Sequence, residues 1–114
     1  MPTQPVKPRP SSTLVLLREG EGRQVEVLML LRADRGDQNS SHWVFPGGLI
    51  DATDHELRDC YAGFDDARAS ARLGLAEGGL DYWTAALRET LEEAGLLLAL
   101  DERGNGRLVR RPPL

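Results

Sequence analysis

Three glutamates at i, i+3 and i+4, followed at once by Ala-Gly, place the hardest constraint on how this chain folds. Residues 85–96 read Ala-Ala-Leu-Arg-Glu-Thr-Leu-Glu-Glu-Ala-Gly-Leu. On a helix, Glu89, Glu92 and Glu93 share one face. Carboxylates crowded in this way repel one another, so the face calls for a cation among them. The donors are hard oxygens, with no Cys or His in the set, which points to Mg²⁺ or Mn²⁺ and away from zinc. Arg88 stands beside them as a clamp for one carboxylate. A Glu-rich face is also what an ordinary solvated helix shows, so the glutamates need a second signal.

That signal lies upstream. Trp43-Val44-Phe45-Pro46-Gly47-Gly48 is a short apolar run ending in Pro-Gly-Gly, the pattern of a strand that stops at a tight turn. Glycines there allow unusual backbone angles and leave carbonyls open to a metal.

Gly48, Asp54 and Arg88-Glu89-Thr90-Leu91-Glu92-Glu93-Ala94-Gly95-Leu96 together resemble the Nudix box. The pattern of that family is Gly, five residues, Glu, seven residues, Arg-Glu-apolar-any-Glu-Glu-any-Gly-apolar. The second half matches at every fixed position, with Thr90 where an aliphatic residue is usual. The first half keeps its spacing but has Asp54 in place of Glu, with one methylene less of reach. Between Asp54 and Arg88 stand 33 residues, 26 more than the pattern has. The insert, His55 to about Leu80, mixes charged residues with Leu57, Tyr61, Phe64, Leu73 and Leu75. It reads as helix and loop broken by Gly74, Gly78 and Gly79, and as a surface excursion outside the sheet. A long insert here, after Phe-Pro-Gly-Gly and an Asp-containing segment, resembles the coenzyme A diphosphatase branch. A further coenzyme A signature is half present: Leu28, Arg32 and Phe45 are suitably spaced, but Asp37 and Ser41 stand where Arg and Gly would.

The resemblance implies an α/β/α sandwich with a mixed sheet, and a metal-dependent hydrolase that cleaves a diphosphate linked to another group. It implies Mg²⁺ or Mn²⁺ held by Glu89, Glu92, Glu93 and the Gly47 carbonyl. Arg88, Glu89 and Glu92 would form the catalytic set, with Arg88 orienting a carboxylate through its fork of donors. Arg32, Phe45 and Gly48 would contact the substrate. Coenzyme A is one candidate, with ADP-ribose, NADH and nucleotide sugars open beside it. The alternative is a module of the same fold that binds nucleotides without turnover. The intact Glu89, Glu92 and Glu93 favour catalysis.

Length and composition bound the rest. At 114 residues the chain is one domain at most. Hydrophobic content is 40% and aromatic content 5%, so aliphatic side chains must fill the core. No apolar run approaches the ~20 residues of a membrane span, and no basic leader precedes an apolar segment. A single cysteine, Cys60, fits a reducing cytosol, so the expected location is cytoplasmic. Net charge is −4, which disfavours a nucleic-acid partner and agrees with metal ions bridging carboxylates to a small anionic nucleotide substrate.

Along the chain, residues 1–12 hold four of the seven prolines and read as a flexible lead. Residues 13–100 form the domain, with 55–80 as its insert. Strands are expected at Thr13–Leu17, Val25–Leu31 and Trp43–Phe45, with a hairpin turn over Arg18–Arg23 and a loop over Ala33–Ser41. A helix is expected over Tyr82–Ala94, capped by Asp81 and ended by Gly95. Tyr82, Ala86, Thr90 and Ala94 would line its buried side. Leu96–Leu100, apolar throughout, reads as an interior strand, and 101–114 as a turn and a basic tail. The resemblance implies further strands after the box helix, so the chain is expected to be an N-terminal fragment, incomplete at its C-terminus. An open edge near Leu96–Leu100 would then invite self-association.

Overall fold

The computed structural model describes residues 6–32 and 42–111. The expected loop at Ala33–Ser41, and with it Asp37 and Ser41, lies outside the described residues. The described residues form eight short strands and three α-helices, six strands preceding the helices and two following them. The strands join as antiparallel pairs, and no parallel ladder forms among the described residues. The parallel part of the expected mixed sheet is therefore not built by these residues.

Strand β1 (Ser11–Thr13) pairs with β6 (Gly47–Leu49), bringing Ser12 opposite Gly48 and Thr13 opposite Gly47. β2 (Leu17–Glu19) and β3 (Val25–Val27) form a hairpin, as the charged, glycine-containing turn between them requires. β4 (Leu30–Leu31) pairs with β5 (Trp43–Val44). The two long strands expected at Thr13–Leu17 and Val25–Leu31 are each interrupted. Leu14 donates to the Pro46 carbonyl and Leu28 to the Leu16 carbonyl, so the chain stays extended while it changes partner.

β7 (Leu96–Leu100) has the expected bounds but not the expected interior place. It pairs along its whole length with β8 (Gly106–Arg110), which occupies part of the segment expected to be a tail. One side of β7 packs on the long helix, while Leu97 and Leu100 are exposed. The all-apolar run concealed which of its residues stay open to solvent.

α1 (Ala52–Glu56) opens with a reciprocal capping box: the Asp51 side chain accepts from Thr53 N–H, and the Asp54 side chain accepts from Asp51 N–H. A turn of 3₁₀ helix (Leu57–Cys60) follows. α2 (Asp66–Leu73) is capped by Asp65 and stopped by Gly74 in the left-handed conformation, φ 71°. α3 (Gly79–Ala94) begins three residues before the expected Tyr82 and ends, as expected, at left-handed Gly95.

The insert is not a surface excursion. α2 lies along α3, with Ala69 and Ser70 buried on α2 and Leu80, Thr84, Ala85 and Ala86 buried on α3. Gly79 makes this approach possible, because a Cβ there would collide with the backbone of Ala69 and Ser70. Tyr61, Phe64 and Trp83 continue the contact as an aromatic row, with Phe64 and Trp83 edge to face at 4.8 Å. Burial raises the Tyr61 phenol pKa despite its hydrogen bond to Thr84 Oγ1. Ala86 and Thr90 are buried on α3, and Tyr82 and Ala94 are half-buried. Thr90 returns its hydroxyl to the Ala86 carbonyl at 2.7 Å and so sits in an apolar place without an orphaned donor.

Candidate active site

Three consecutive residues of β6 each meet a side chain of α3. The Gly47 N–H donates to Glu93 Oε1 at 2.9 Å. Gly48 lies so close to the Glu89 carboxylate that a Cβ would overlap it. The Leu49 carbonyl accepts from Arg88 Nη2 at 3.0 Å. The Pro-Gly-Gly turn and the glutamate helix, more than forty residues apart, are one place in the fold. The glycines are needed there for close approach.

Arg88 is the centre of the network. Its Nε and Nη2 grip both oxygens of Asp54 at 2.6 and 3.1 Å, the fork-to-fork arrangement that only arginine offers. Its Nη1 donates to Glu89 at 3.0 Å and to Glu92 at 3.1 Å. The clamp thus holds three carboxylates, where the sequence suggested one. Asp54 is fully buried. Burial by itself would raise its pKa, but the Arg88 guanidinium and the Asp51 N–H outweigh that and hold it below the ordinary carboxyl value. The Arg88 guanidinium is in turn pushed further up by the Asp54 carboxylate.

One guanidinium stands among the carboxylates of Asp54, Glu89, Glu92 and Glu93, so the cluster keeps a surplus of negative charge. Glu92 and Glu93 also fall in the last turn of α3, the negative end of the helix dipole, where carboxylates are disfavoured. Both features fit a surface prepared for a cation. The donors are all oxygens, and Glu92 and Glu93 are open to solvent, the chemistry a hard divalent ion takes. Among the described residues no three acidic, His or Cys side chains converge on a single point.

Two expected substrate contacts lie apart from this network. Arg32 follows β4, exposed, its N–H donating to the His42 carbonyl. Phe45 follows β5 and is partly exposed. Neither is bonded into the Arg88 network. An open, mainly apolar groove of about 1640 Å³ runs along α3 beside Leu14, Leu16, Leu87 and Leu91. It reaches Arg88 but is not lined by Glu89, Glu92 or Glu93.

The chain has the architecture seen in a crystal structure of a NUDIX hydrolase from Alicyclobacillus acidocaldarius, with a TM-score of 0.63, 30% identity, and 91% of this chain covered. The fold is a Nudix fold. The chain spans 45% of the length of that Nudix protein. No family model matches the chain, and no curated protein matches it.

Within this Nudix fold, sequence reasoning missed four contributors. Asp51 was detectable, since Asp-x-x-Asp before a short helix is a capping-box signature. The Leu49 carbonyl and the His55–Asp81 contact at 3.1 Å leave no trace in composition. The fourth, Asp66, accepts from the first amides of α3. Asp81, expected as the cap, lies in the first turn of the helix and faces His55 instead.

Proposed function

We propose that this chain belongs to a Nudix hydrolase that cleaves the diphosphate bond of a nucleoside diphosphate linked to another group. The observation that carries this reading is the meeting of Gly47 and Gly48 with Glu93 and Glu89, anchored by the Arg88–Asp54 pair. The likeness to a NUDIX hydrolase supports the reaction class.

In this reading Glu89, Glu92 and Glu93, with the Gly47 carbonyl, hold Mg²⁺ or Mn²⁺. A bound divalent ion would screen the phosphate oxygens and lower the pKa of a water molecule. Arg88 keeps Glu89 and Glu92 on one side of the helix, and Asp54 keeps Arg88 from swinging away. Glu89, packed on Gly48, is the best placed of the three to orient water. Gly48, Phe45 and Arg32 border the substrate. Coenzyme A is one candidate substrate, on the resemblance of the insert and its preceding Phe-Pro-Gly-Gly, beside ADP-ribose, NADH and nucleotide sugars, and the location is cytoplasmic. No helix among the described residues is long and apolar enough to cross a membrane.

The test is product release from coenzyme A, ADP-ribose, NADH and nucleotide sugars, with and without Mg²⁺ or Mn²⁺, in wild type and in Glu92→Gln/Glu93→Gln. Metal-dependent release that the double variant lacks is expected. Tight binding of these nucleotides with no release under any metal would replace hydrolysis with the binding-module reading.

A further inference from the structure

The long helix does not cap its own N-terminus. Its N-cap is Gly78, left-handed at φ 84° and without a side chain to offer. The first amides of a helix need acceptors, and here they come from α2. Asp66 Oδ2 accepts from Gly78 N–H and Asp66 Oδ1 from Leu80 N–H, each at 3.0 Å. Ser70 Oγ accepts from Gly79 N–H at 2.8 Å. These bonds, led by the one from Leu80, hold the Asp66 carboxyl pKa below its ordinary value. A carboxylate at this end also complements the helix dipole.

A cap borrowed from another element does more than a local one, because it also fixes where the helix stands. Asp66 engages two amides two residues apart, which sets both the axial position and the rotation of the first turn against α2. From Gly79 to Glu89 the helix runs about 15 Å. Over that length it acts as a rod, so displacement at the first turn is carried to the carboxylate face.

We propose that Asp66 is a positioning residue for that face. By seating α3 on the insert, it sets where Glu89 meets Gly48 and where Glu93 meets the Gly47 N–H. Its consequence for metal binding rests on the proposed function above, whereas its consequence for geometry does not. The insert thus acts as a brace for the helix that carries the acids.

The experiment uses the whole chain and three variants. Asp66→Ala removes both acceptors and Asp66→Asn leaves one. Asp65→Ala removes the cap of α2 itself, the bond from Arg68 N–H, and controls for weakening the insert in general. The Gly47 amide proton, bonded to Glu93, is followed by ¹⁵N-resolved NMR, and Mn²⁺ affinity by water-proton relaxation. Both Asp66 variants are expected to move the Gly47 resonance upfield and weaken Mn²⁺ on the order of 10-fold, as loss of supporting residues around metal ligands does. Asp65→Ala is expected to leave both readouts near wild type. If Asp66→Ala does not fold, Asp66→Asn carries the comparison. A Gly47 resonance unmoved in a folded Asp66 variant, or moved equally by Asp65→Ala, overturns the proposal. If Gly47 moves with Asp66 while wild type binds no Mn²⁺, the brace stands and the metal reading falls.

Discussion

Arg88 Nε lies 2.6 Å from Asp54 Oδ1, although the two residues are 34 positions apart. The pair joins α1 to α3 across the base of the insert. Asp54 has no solvent access, and its neutralising partner is nearly as enclosed. Removing the arginine leaves a buried carboxylate unpaired, which is far more costly than never having had the pair. Arg88→Met is therefore expected to lose roughly 3–5 kcal/mol in urea unfolding. Arg88→Lys is expected to recover only part of this, since an ammonium cannot grip both oxygens. An Arg88→Met chain as stable as wild type would remove the pair from its structural role.

Gly48 of β6 and Gly79 of α3, both closely packed, predict opposite outcomes. At Gly48 an added methyl meets the end of the flexible Glu89 side chain. Gly48→Ala is expected to melt close to wild type while its Mn²⁺ affinity falls, because Glu89 must turn away. At Gly79 the methyl meets backbone of α2, so Gly79→Ala is expected to cost about 1–3 kcal/mol, the range for overpacking. Calorimetry and metal titration of the two variants side by side would expose any reversal of this order.

Acid stability follows from carboxyl groups whose folded pKa lies below their unfolded one. Asp54, despite the burial that would raise it, is lowered by Arg88 and Asp51 N–H, and Asp66 by the amides of Leu80 and Gly78. Each contributes stability that is fully present above the ordinary aspartate pKa of 3.8 and is lost as pH falls through the lowered folded value. Unfolding free energy is thus expected to be flat above that value on account of these groups and to drop below it. Asp54→Asn and Asp66→Asn should each be less stable at neutral pH and show a shallower acid limb. An unchanged limb in both would exclude them as its source.

Replacing the insert between Leu57 and Glu77 with a short linker is expected to destabilise the chain. The linker would remove the acceptors that Asp66 and Ser70 give the first amides of α3, and the buried contact around Ala69. Sequence reasoning led to the opposite expectation, because loop length costs little closure entropy. Chemical denaturation of the shortened chain discriminates between the two, and an unchanged midpoint would restore the insert to the surface.

What was legible in the sequence was what local chemistry determines. Glycine in the left-handed conformation ended α3 at Gly95, and the i, i+3, i+4 spacing put three acids on one face. The Trp43-to-Gly48 run announced the turn that meets them. What was not legible depended on partners distant in the chain. Asp81 has the right residue type for a cap, yet Asp66 takes that place because Gly79 lets α2 come close. Leu96–Leu100 carried no alternation to show which residues face α3, so Leu97 and Leu100 were assigned inward. Arg107 and Arg110 suggested a solvated tail, but pairing with β7 uses only their backbone.

A motif of this kind is measured in ångströms rather than in residues. Because Asp54 and Arg88 clasp each other directly, the stretch between them is a detour that leaves and re-enters at nearly one point. A pattern that counts positions between an acid and an arginine will pass over chains of this design. One that asks whether the two can touch will find them.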